Sequence, residues 1–381
     1  MEYIKLKHIA KYPTGKLNSN AAEENGIYPF FTCSHDIYRI NTYAYDGEYV
    51  LLGGNNATGD FPIFYYNGKF NAYQRTYLIQ PKDPKQYDTR YLFYSIGLKL
   101  SLMQNNAAGT ATRFLTQPIL DNINIEHRSL PTQQKIASNL SCYDNLIQNY
   151  KKQIEALQTA ASELYKEWFV RFRFPGYQTA KFENGIPVGW EHYTISELCI
   201  INGKSISTKN GDKEILYLDT SSITQNDITN VELFKIKDAP GRARRIVKNN
   251  SIIFSTVRPA LCHYGIMKNI TENLIVSTGF AVFDTKYDIA NILFMFLSSQ
   301  AVIDYCQLVA EGAVATYPTI TAEEIGKISI CLPSIKIAEQ WNNQLGNIFL
   351  RINNLQQQIT NLTQQRDLLL PRLMSGKLEV I

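Results

Sequence analysis

Residues 136–168 read IASNLSCYDNLIQNYKKQIEALQTAASELYKEW, and residues 341–369 read WNNQLGNIFLRINNLQQQITNLTQQRDLL. In both stretches apolar residues recur in alternating steps of four and three. A repeat of this period, held over this length, is typical of helices that wind around a partner helix. The repeat positions are Ile136, Leu140, Tyr143, Ile147, Tyr150, Ile154, Leu157, Ala161, Leu164 and Trp168 in the first stretch, and Trp341, Leu345, Ile348, Ile352, Leu355, Ile359, Leu362 and Leu369 in the second.

The length of the two repeats predicts a rod. From about residue 132 to 169 and from about 336 to 370, each helix would be roughly 50 to 55 Å long. Isoleucines at alternate repeat positions, with mostly Leu or Tyr between them, favour two strands. Each helix is the natural partner of the other, so we predict an antiparallel coiled coil with an approximate two-fold axis. The alternative is two long helices in the core of one domain, and their unbroken length argues against it.

One charged residue interrupts the second repeat. Arg366 occupies a position where the pattern calls for an apolar side chain. It is compatible with a residue that fixes the register of the pair or with a frayed helix end. Fraying is the favoured interpretation, because Pro371 follows closely and must stop or kink the helix.

The chain also contains an internal duplication, and each copy ends in one of the long helices. Leu130-Pro131 and Leu332-Pro333 precede the two helices, 202 positions apart. Three further similarities occur upstream in the same order. They are Gly15-Lys16 with Gly203-Lys204, residues 91–94 (YLFY) with 292–295 (ILFM), and residues 108–112 (AGTAT) with 311–316 (EGAVAT). The order and the near-constant separation indicate two related modules.

Each module combines strand and helix signals, so we predict an α+β fold of two tandem mixed α/β modules joined by the two helices. Strands are expected at residues 49–52, 76–79, 251–254 and 279–283, and helices at 91–104 and 290–309. The expected boundaries are 1–130 for the first module, 131–174 for the central helix and linker, 175–332 for the second module, 333–370 for the C-terminal helix and 371–381 for the tail.

Composition bounds the function without deciding it. The 381 residues are 45% hydrophobic and carry a net charge of +4, which permits a polyanionic partner but does not demand one. The six cysteines lie far apart without a CxxC pair, so we expect neither a zinc site nor a disulfide framework. We find no signal-peptide core and no apolar run long enough to span a membrane, and expect a cytoplasmic protein.

Motifs for self-contained catalysis are not found in the sequence. Gly203-Lys204-Ser205 resembles the end of a phosphate-binding loop, but Leu198 stands where that loop needs its first glycine. We find no dinucleotide or S-adenosylmethionine fingerprint and no Asn-Pro-Pro-aromatic motif for amino methylation, and the five histidines have no triad or HExxH company. We therefore expect a protein that is not an enzyme and holds no metal or cofactor itself.

Two segments carry a specific resemblance to a known family. Residues 163–172 (ELYKEWFVRF), which run into Phe174-Pro175-Gly176, resemble the end of the central helix in the DNA specificity subunit of type I restriction-modification enzymes. Residues 365–378 (QRDLLLPRLMSGKL) are similar to the C-terminal end of that subunit. One departure concerns the acidic-Gln pair usual after the Leu-Pro step. It is Gln133-Gln134 in the first copy and is displaced to Glu339-Gln340 in the second, which leaves the start of the second helix open.

The resemblance implies a division of labour. Each module would be a target recognition domain that reads one part of a bipartite, asymmetric site in double-stranded DNA, and the coiled coil would set the spacing. A rod of this length would span more than one DNA turn of ~34 Å. Two methyltransferase subunits would carry S-adenosylmethionine and methylate adenine, and two motor-nuclease subunits would use ATP and Mg²⁺. The chain itself would be non-catalytic.

DNA-contacting residues are expected among exposed cations and amides. Arg pairs with guanine, Asn or Gln pairs with adenine, and Lys holds phosphates. For the densest basic stretch, residues 240–245 (PGRARR), a solvated surface loop is the alternative reading. Residues 109–113 and 312–317 either line the DNA face or are turns that lead towards the helices. The candidates are Lys16, Asn55, Asn56, Gln74, Arg75 and Arg113 in the first module, and Lys204, Ser205, Arg242, Arg244, Arg245 and Arg258 in the second.

Two other functions stay open at this point. A coiled-coil adaptor with two protein- or carbohydrate-binding modules would have the same rod, but it would lack a DNA affinity that falls steeply with salt. A tRNA-binding accessory protein with a helical arm is a third hypothesis, for which the duplicated modules are unexpected. Neither the DNA sequence read nor the presence of an active nuclease partner follows from the sequence.

Overall fold

The computed structural model describes residues 2–55, 59–106, 114–207, 211–312 and 317–379. The chain divides into two compact units. Unit 1 is Met1–Asn149 with Ile359–Ile381, and unit 2 is Tyr150–Gln358. Because the boundaries fall inside the two long helices, each unit contains one module together with parts of both helices.

The described strands are short and mostly antiparallel. They are β1 (Tyr3–Lys5), β2 (Ala10–Lys11), β3 (Tyr28–Phe31), β4 (Tyr38–Ile40), β5 (Tyr45–Gly53), β6 (Ile63–Ala72), β7 (Thr76–Pro81), β8 (Asn124–Glu126), β9 (Phe182–Glu183), β10 (Ile186–Pro187), β11 (Glu191–Thr194), β12 (Cys199–Ile201), β13 (Glu214–Leu218), β14 (Ile223–Thr224), β15 (Asp227–Ile228), β16 (Glu232–Lys235), β17 (Ala243–Ile246), β18 (Ile252–Ser255), β19 (Tyr264–Ile266), β20 (Leu274–Ser277), β21 (Phe280–Thr285) and β22 (Ser329–Leu332).

The α-helices of the described residues range from one turn to forty residues. They are α1 (Leu6–Ile9), α2 (Thr89–Asn106), α3 (Gln117–Asp121), α4 (Leu130–Tyr165), α5 (Ile195–Leu198), α6 (Ala290–Leu297), α7 (Gln300–Glu311), α8 (Ala322–Gly326) and α9 (Ile335–Met374). A π-helical turn, Lys166–Val170, directly follows α4. The four strands expected from the sequence fall on β5, β7, β18 and β21.

Unit 1 is built on a six-stranded sheet in the order β2-β7-β5-β6-β3-β4. Successive side chains of a strand point to opposite faces, and both faces of β5 are buried. Val50 and Leu52 pack into the cluster that contains residues of α2 and of the long helices. Leu51 packs on the other face with Phe31 and Phe70. The sheet is therefore covered on both sides by apolar side chains.

Unit 2 repeats this arrangement around β18, although its strands form two four-stranded sheets, β12-β21-β18-β19 and β16-β13-β20-β17. Ile252 and Phe254 pack into the cluster that includes Trp168 and Trp341. Ile253 lies on the opposite face in a separate cluster. The alternation of β5 thus recurs in β18, as the duplication predicts.

In both modules, a side chain in the first turns of the long helix accepts a hydrogen bond from the backbone of the module. The side chain of Gln133 accepts a hydrogen bond from the backbone N–H of Asp88 (3.0 Å). The side chain of Glu339 accepts one from the backbone N–H of Asp288 (3.3 Å). Gln133 and Glu339 are therefore equivalent. The pair is displaced because α9 begins at Ile335, three residues after Leu332, whereas α4 begins at Leu130 itself.

Within each unit the parts of α4 and α9 pack together. In unit 1, Arg366 Nη1 lies 2.6 Å from Asp144 Oδ1, and Leu373 and Met374 are buried. In unit 2, the rings of Trp168 and Trp341 are 5.4 Å apart. None of the predicted repeat positions is an exposed residue.

Two predictions about the C-terminal helix were wrong. Arg366 is not frayed: it lies inside α9, paired with Asp144 and with Asp367. Pro371 does not end the helix, which continues to Met374. The burial of Leu373 and Met374 in the core of unit 1 compensates for the backbone hydrogen bond that proline cannot donate.

The single helix expected over residues 290–309 was also wrong, because the structure has two helices, α6 and α7, bent by 57°. Ser298 and Ser299 lie at the break. Their hydroxyls donate to the carbonyl oxygens of Phe294 (2.7 Å) and Phe296 (2.6 Å). Such side-chain bonds compete with the backbone bonds of a continuing helix.

Among the described residues, no helix on its own combines the length and apolarity needed to cross a membrane, although the bent pair α6 and α7 together meets those two criteria. Most of α6 is buried in the core of unit 2.

Candidate nucleic-acid interface

In unit 1 the described candidates gather around the turn between β6 and β7. Gln74 and Arg75 form this turn, Lys16 lies beside it, and Asn55 follows β5. Backbone hydrogen bonds tie these segments together. They run from Gly15 N to Thr76 O (3.0 Å), from Gln74 N to Leu17 O (2.8 Å) and from Gly54 N to Arg75 O (2.8 Å).

Glycine is required where the segments approach most closely. A Cβ at Gly15 would lie 2.3 Å from the carbonyl oxygen of Ala72, and a Cβ at Gly54 would lie 2.8 Å from that of Arg75. Both distances are too short for any real side chain. The glycines therefore allow the backbones to meet, and the side chains of Lys16, Gln74 and Arg75 remain exposed.

The exposed groups of this turn are available for a ligand. Among the described residues, neither the amide of Gln74 nor the guanidinium of Arg75 has a side-chain hydrogen bond or an ion pair. The candidates Asn56 and Arg113 lie outside the described residues, as does nearly all of the two repeated loops. Their predicted role stays a prediction.

In unit 2 most candidates lie along one edge of a sheet, on β17 and the segment that pairs with it. Ser205 forms a bridge with Arg245, and Lys204 O accepts a hydrogen bond from Ile246 N (3.1 Å). Strand β17 contains a bulge between Ala243 and Arg245. A bulge changes the direction in which side chains point, so the arginines of this edge do not alternate regularly between the two faces of the sheet.

The three arginines of this edge have different surroundings. Arg242 is exposed, and its carbonyl oxygen accepts a hydrogen bond from Thr278 N (2.8 Å). The Nε of Arg245 is buried and has no hydrogen-bond partner among the described residues. Arg244 donates to the carbonyl oxygen of Ala243 (3.0 Å). Arg242 is therefore the arginine of this edge most open to solvent.

Arg258 is exposed and follows β18. Its backbone is left-handed, with φ of 47°, and its N–H donates to the carbonyl oxygen of Pro318 (2.9 Å). The guanidinium carbon lies 4.9 Å from the centre of the Tyr317 ring, a cation–π contact that orients an exposed arginine. The stacked guanidinium is suited to a planar, bidentate acceptor such as guanine.

A carboxylate directly follows β13, in the sheet that contains β17. Burial acts to raise the pKa of Asp219, but hydrogen bonds from the N–H groups of Thr220 and Ser221 and from the hydroxyls of Ser221 and Tyr217 outweigh it. The pKa is therefore lowered. Asp219 stays charged at neutral pH, so this side of unit 2 is not uniformly positive.

Each unit holds its candidate residues with an equivalent set of backbone contacts, which we call the frame of that unit. Gly54 N donates to Arg75 O (2.8 Å), and Thr256 N donates to Gly279 O (2.9 Å). Two further pairs of contacts correspond. They are Leu115 N to Gly54 O with Ile320 N to Thr256 O, both 2.9 Å, and the bridge of Asn55 and Phe114 with that of Val257 and Thr319. In each unit, equivalent backbone hydrogen bonds thus hold the segment that follows the central strand.

Exposed aromatic residues beside this frame were not among the predicted candidates. Phe114 is 51% exposed, although phenylalanine is usually buried, and Tyr317 is 56% exposed. Each is the first aromatic residue after a repeated Gly- and Thr-containing loop. That shared position is a signal from which the sequence could have identified them.

The side chains at the two frames are suited to recognising a ligand. They offer amides, guanidinium groups and ring edges, which bind phosphates and bases. Among the described residues, no group of three or more His, Cys, Asp or Glu side chains could hold a metal ion. His263, the histidine closest in sequence to Arg258, makes its ring contacts with the carbonyl oxygen of Ile223 (2.7 Å) and the hydroxyl of Thr224 (3.2 Å).

Comparison with known proteins gives a family for this arrangement. The family model described as the type I restriction modification DNA specificity domain matches residues 1–159 and 187–367. The two matches correspond to the two copies of the duplication and together cover most of the chain.

Individual relatives match along nearly the whole length. The specificity subunit of the type I restriction enzyme EcoDI from Escherichia coli is 27% identical over 399 aligned positions, which cover 93% of this chain and 86% of that protein. The MjaVIII specificity subunit from Methanocaldococcus jannaschii is 24% identical and covers 100% of this chain and 93% of that protein.

A solved structure has the same fold. The S subunit of a type I restriction-modification system from M. genitalium superimposes with a TM-score of 0.62. The match covers 98% of this chain and 95% of that chain at 14% identity. At this identity the likeness concerns the fold alone.

Proposed function

The chain belongs to the type I restriction-modification DNA specificity family, and on that premise we propose that it binds a bipartite, asymmetric sequence in double-stranded DNA. Unit 1 reads one part and unit 2 reads the other. The observation that carries this proposal is the duplicated frame: Gly54 and Thr256 hold equivalent segments, each beside exposed cationic side chains.

The two units carry different exposed side chains, which predicts an asymmetric DNA site. Equal frames with equal side chains would read equal half-sites. In unit 1 the exposed readers are Gln74 and Arg75 on the turn before β7, whereas the corresponding turn of unit 2 carries Gly279. The arginine of unit 2 is Arg258, which follows β18 instead. Two different sets of donors read two different sequences.

We propose further that α4 and α9 form an antiparallel coiled coil that sets the spacing of the two half-sites. Contacts within each unit support this. In unit 1, Asp144 in the first half of α4 pairs with Arg366 near the end of α9. In unit 2, Trp168, just after α4, contacts Trp341 near the start of α9. Opposite ends of the two helices therefore meet.

The catalytic chemistry is assigned to partner subunits. We propose that two methyltransferase subunits, which bring S-adenosylmethionine, assemble with this chain, and that restriction subunits using ATP and Mg²⁺ join them. The chain supplies sequence recognition and no bond-making step. A cytoplasmic location follows from this role and stays a prediction.

Methylation mapping of the host genome tests the proposal. Single-molecule sequencing of a strain with the gene and of a strain without it would reveal methyladenine patterns that depend on the chain. We expect the loss of one split motif, two short specified parts separated by unspecified bases. An unchanged methylome, together with a DNA affinity that does not fall steeply with salt, would contradict the proposal and favour the adaptor.

A further inference from the structure

Unit 1 has an open pocket directly beneath its candidate reading turn. Its volume is about 490 Å³. Gly54, Tyr77 and Leu115 line its inner part, since Gly54 and Leu115 are buried and Tyr77 is half-buried. Exposed side chains of Gln74, Arg75 and Phe114 stand at its mouth. The exposed part of the lining therefore includes an amide and an aromatic ring.

The inner wall is fixed and its polar groups are already bonded. The hydroxyl of Tyr77 donates to the carbonyl oxygen of Leu115 (2.8 Å). The N–H of Leu115 donates to the carbonyl oxygen of Gly54 (2.9 Å), and the N–H of Gly54 donates to that of Arg75 (2.8 Å). The pocket therefore offers apolar surface inside and the free groups of Gln74 and Arg75 at the rim.

The equivalent position of unit 2 is filled. Thr256 stands where unit 1 has Gly54, and its hydroxyl donates to the carbonyl oxygen of Gly279 (2.9 Å). A Cβ at Gly54 would lie 2.9 Å from the Tyr77 ring. The absence of a side chain at Gly54 thus keeps the pocket open, whereas unit 2 has the Thr256 side chain at the equivalent position.

The mouth matches one base pair by its chemistry. In the major groove, adenine presents an acceptor and a donor that a Gln amide binds with two hydrogen bonds. The thymine of the same pair presents its 5-methyl group, which Phe contacts through apolar surface. Gln74 and Phe114 provide both functions at one opening. A G·C pair offers neither the adenine edge nor the methyl group.

We propose that this pocket reads an A·T pair in the half-site of unit 1, with the thymine methyl group against Phe114 and the adenine edge on Gln74. This rests on the proposed DNA-binding function and adds the identity of one base pair. The guanidinium of Arg75 then faces the neighbouring base pair.

Replacing thymine by uracil tests the proposal, because it removes only the methyl group. The complex with the methyltransferase subunits is titrated with duplexes of the cognate site in which one thymine at a time is replaced. At one thymine of the unit 1 half-site, uracil should raise Kd about fourfold, the burial of one methyl group. In Phe114→Ala the same replacement should have no effect, while the variant itself binds the thymine duplex more weakly.

Three variants make the result specific. Tyr38→Ala removes another exposed ring of unit 1 and should keep the full uracil effect. Arg258→Ala alters unit 2 and should keep it as well. Gln74→Ala should keep the uracil effect but lose sensitivity to 7-deazaadenine in the same pair. Circular dichroism is expected to be unchanged for Phe114→Ala, whose side chain is half exposed.

The outcomes separate this proposal from the proposed function. Sequence-specific binding in which no uracil of the half-site changes Kd would overturn the A·T assignment and leave the function intact. An undiminished uracil effect in Phe114→Ala would also overturn it. No sequence-specific binding by the wild-type complex would instead remove the proposed function itself.

Discussion

Units 1 and 2 hold the segment after their central strand with the same backbone contacts, yet they present different side chains there. In unit 1, Gly54 leaves a pocket and the turn carries Gln74 and Arg75. In unit 2, Thr256 fills the equivalent place, the turn carries Gly279, and the arginine is Arg258. The backbone contacts of the frame are therefore the same in both units, although the side chains beside them differ. Under the proposed function, one half-site changes when these side chains change, while the fold that presents them stays the same.

The contacts between the two long helices also differ between the units. In unit 1 the contact of α4 with α9 adds a polar group to the apolar packing, because Asp144 accepts hydrogen bonds from Arg366 and from the hydroxyl of Tyr94. In unit 2 it is aromatic, centred on Trp341, whose ring is 5.4 Å from Trp168 and 5.5 Å from Phe174. The charged pair restricts which residues can lie opposite each other, whereas the aromatic cluster supplies buried area.

The junction between helix and module differs as well. Three residues after Gln133, unit 1 buries Ile136, which is 2% exposed. Three residues after the equivalent Glu339, unit 2 buries Asn342, which accepts a hydrogen bond from Asn291 N (2.8 Å). Asn291 Oδ1 in turn accepts one from Lys268 Nζ (2.8 Å). Unit 2 therefore contains a polar network where unit 1 is apolar.

The largest effect is expected from Trp341→Ala. Trp341 is 9% exposed and contacts four aromatic rings, so its removal should cost about 3–5 kcal/mol in the free energy of unfolding. Hydrogen exchange followed by mass spectrometry should show lost protection in unit 2 and retained protection in unit 1. Leu369→Ala, in the part of α9 that belongs to unit 1, is the control and should show the reverse. Equal losses in both units for either variant would contradict separate cores.

A pH dependence should distinguish the polar junction of unit 2. Burial lowers the pKa of Lys268 from its ordinary 10.5 to about 8, although Asp288 acts in the opposite direction. The unfolded chain then binds this proton more tightly than the folded chain. The free energy of unfolding therefore rises as the pH increases from about 8 to 10.5.

Urea denaturation of wild type and Lys268→Met at pH 7.5 and 9.5 measures this dependence, and other titrating groups cancel in the comparison. The gain in stability between the two values should be smaller in Lys268→Met by about 1–2 kcal/mol. Lys286→Met, at an exposed lysine of unit 2, is measured alongside as the control for the loss of a lysine charge. Equal gains in wild type and Lys268→Met would show that burial of the Lys268 ammonium group does not cause the pH dependence.

The polar seam of unit 1 should give a smaller effect. The side chains of Asp144 and Arg366 are each 28% exposed, so solvent weakens their interaction. Asp144→Ala leaves Arg366 without this partner and should cost about 1–2 kcal/mol. In Arg366→Met the change is similar, and the double variant should cost less than the sum, which a double-mutant cycle in urea measures. Strict additivity would mean that the two side chains do not stabilise each other.

Much of the fold was predictable because its signals are local. The 3.5-residue repeat located α4 and α9 within a few residues, and the central strands were visible as β-branched and aromatic runs. The helix break at Ser298 was missed because the apolar pattern continues through it, and only the hydroxyl contacts decide the geometry. The passage of α9 through Pro371 depends on distant packing of Met374, which periodicity does not record.

The candidate interface was predictable only in part. Residue type and nearby turn residues pointed to Gln74, Arg75 and Arg258, which the structure places at the two frames. The pocket required knowing that Gly54, Tyr77 and Leu115 meet, and these residues are separated by more than twenty positions. Which of the exposed side chains touch DNA stays a prediction.

Selection of binding sites from a random duplex library tests the central claim most directly. The complexes of wild type, Arg75→Ala and Arg258→Ala with the methyltransferase subunits are each used to enrich sequences. Wild type should select one split motif. Arg75→Ala should relax only the part read by unit 1, and Arg258→Ala only the other part, each at a cost of about 1–3 kcal/mol in cognate binding. A single continuous motif, or both variants relaxing the same part, would contradict two units that read DNA independently.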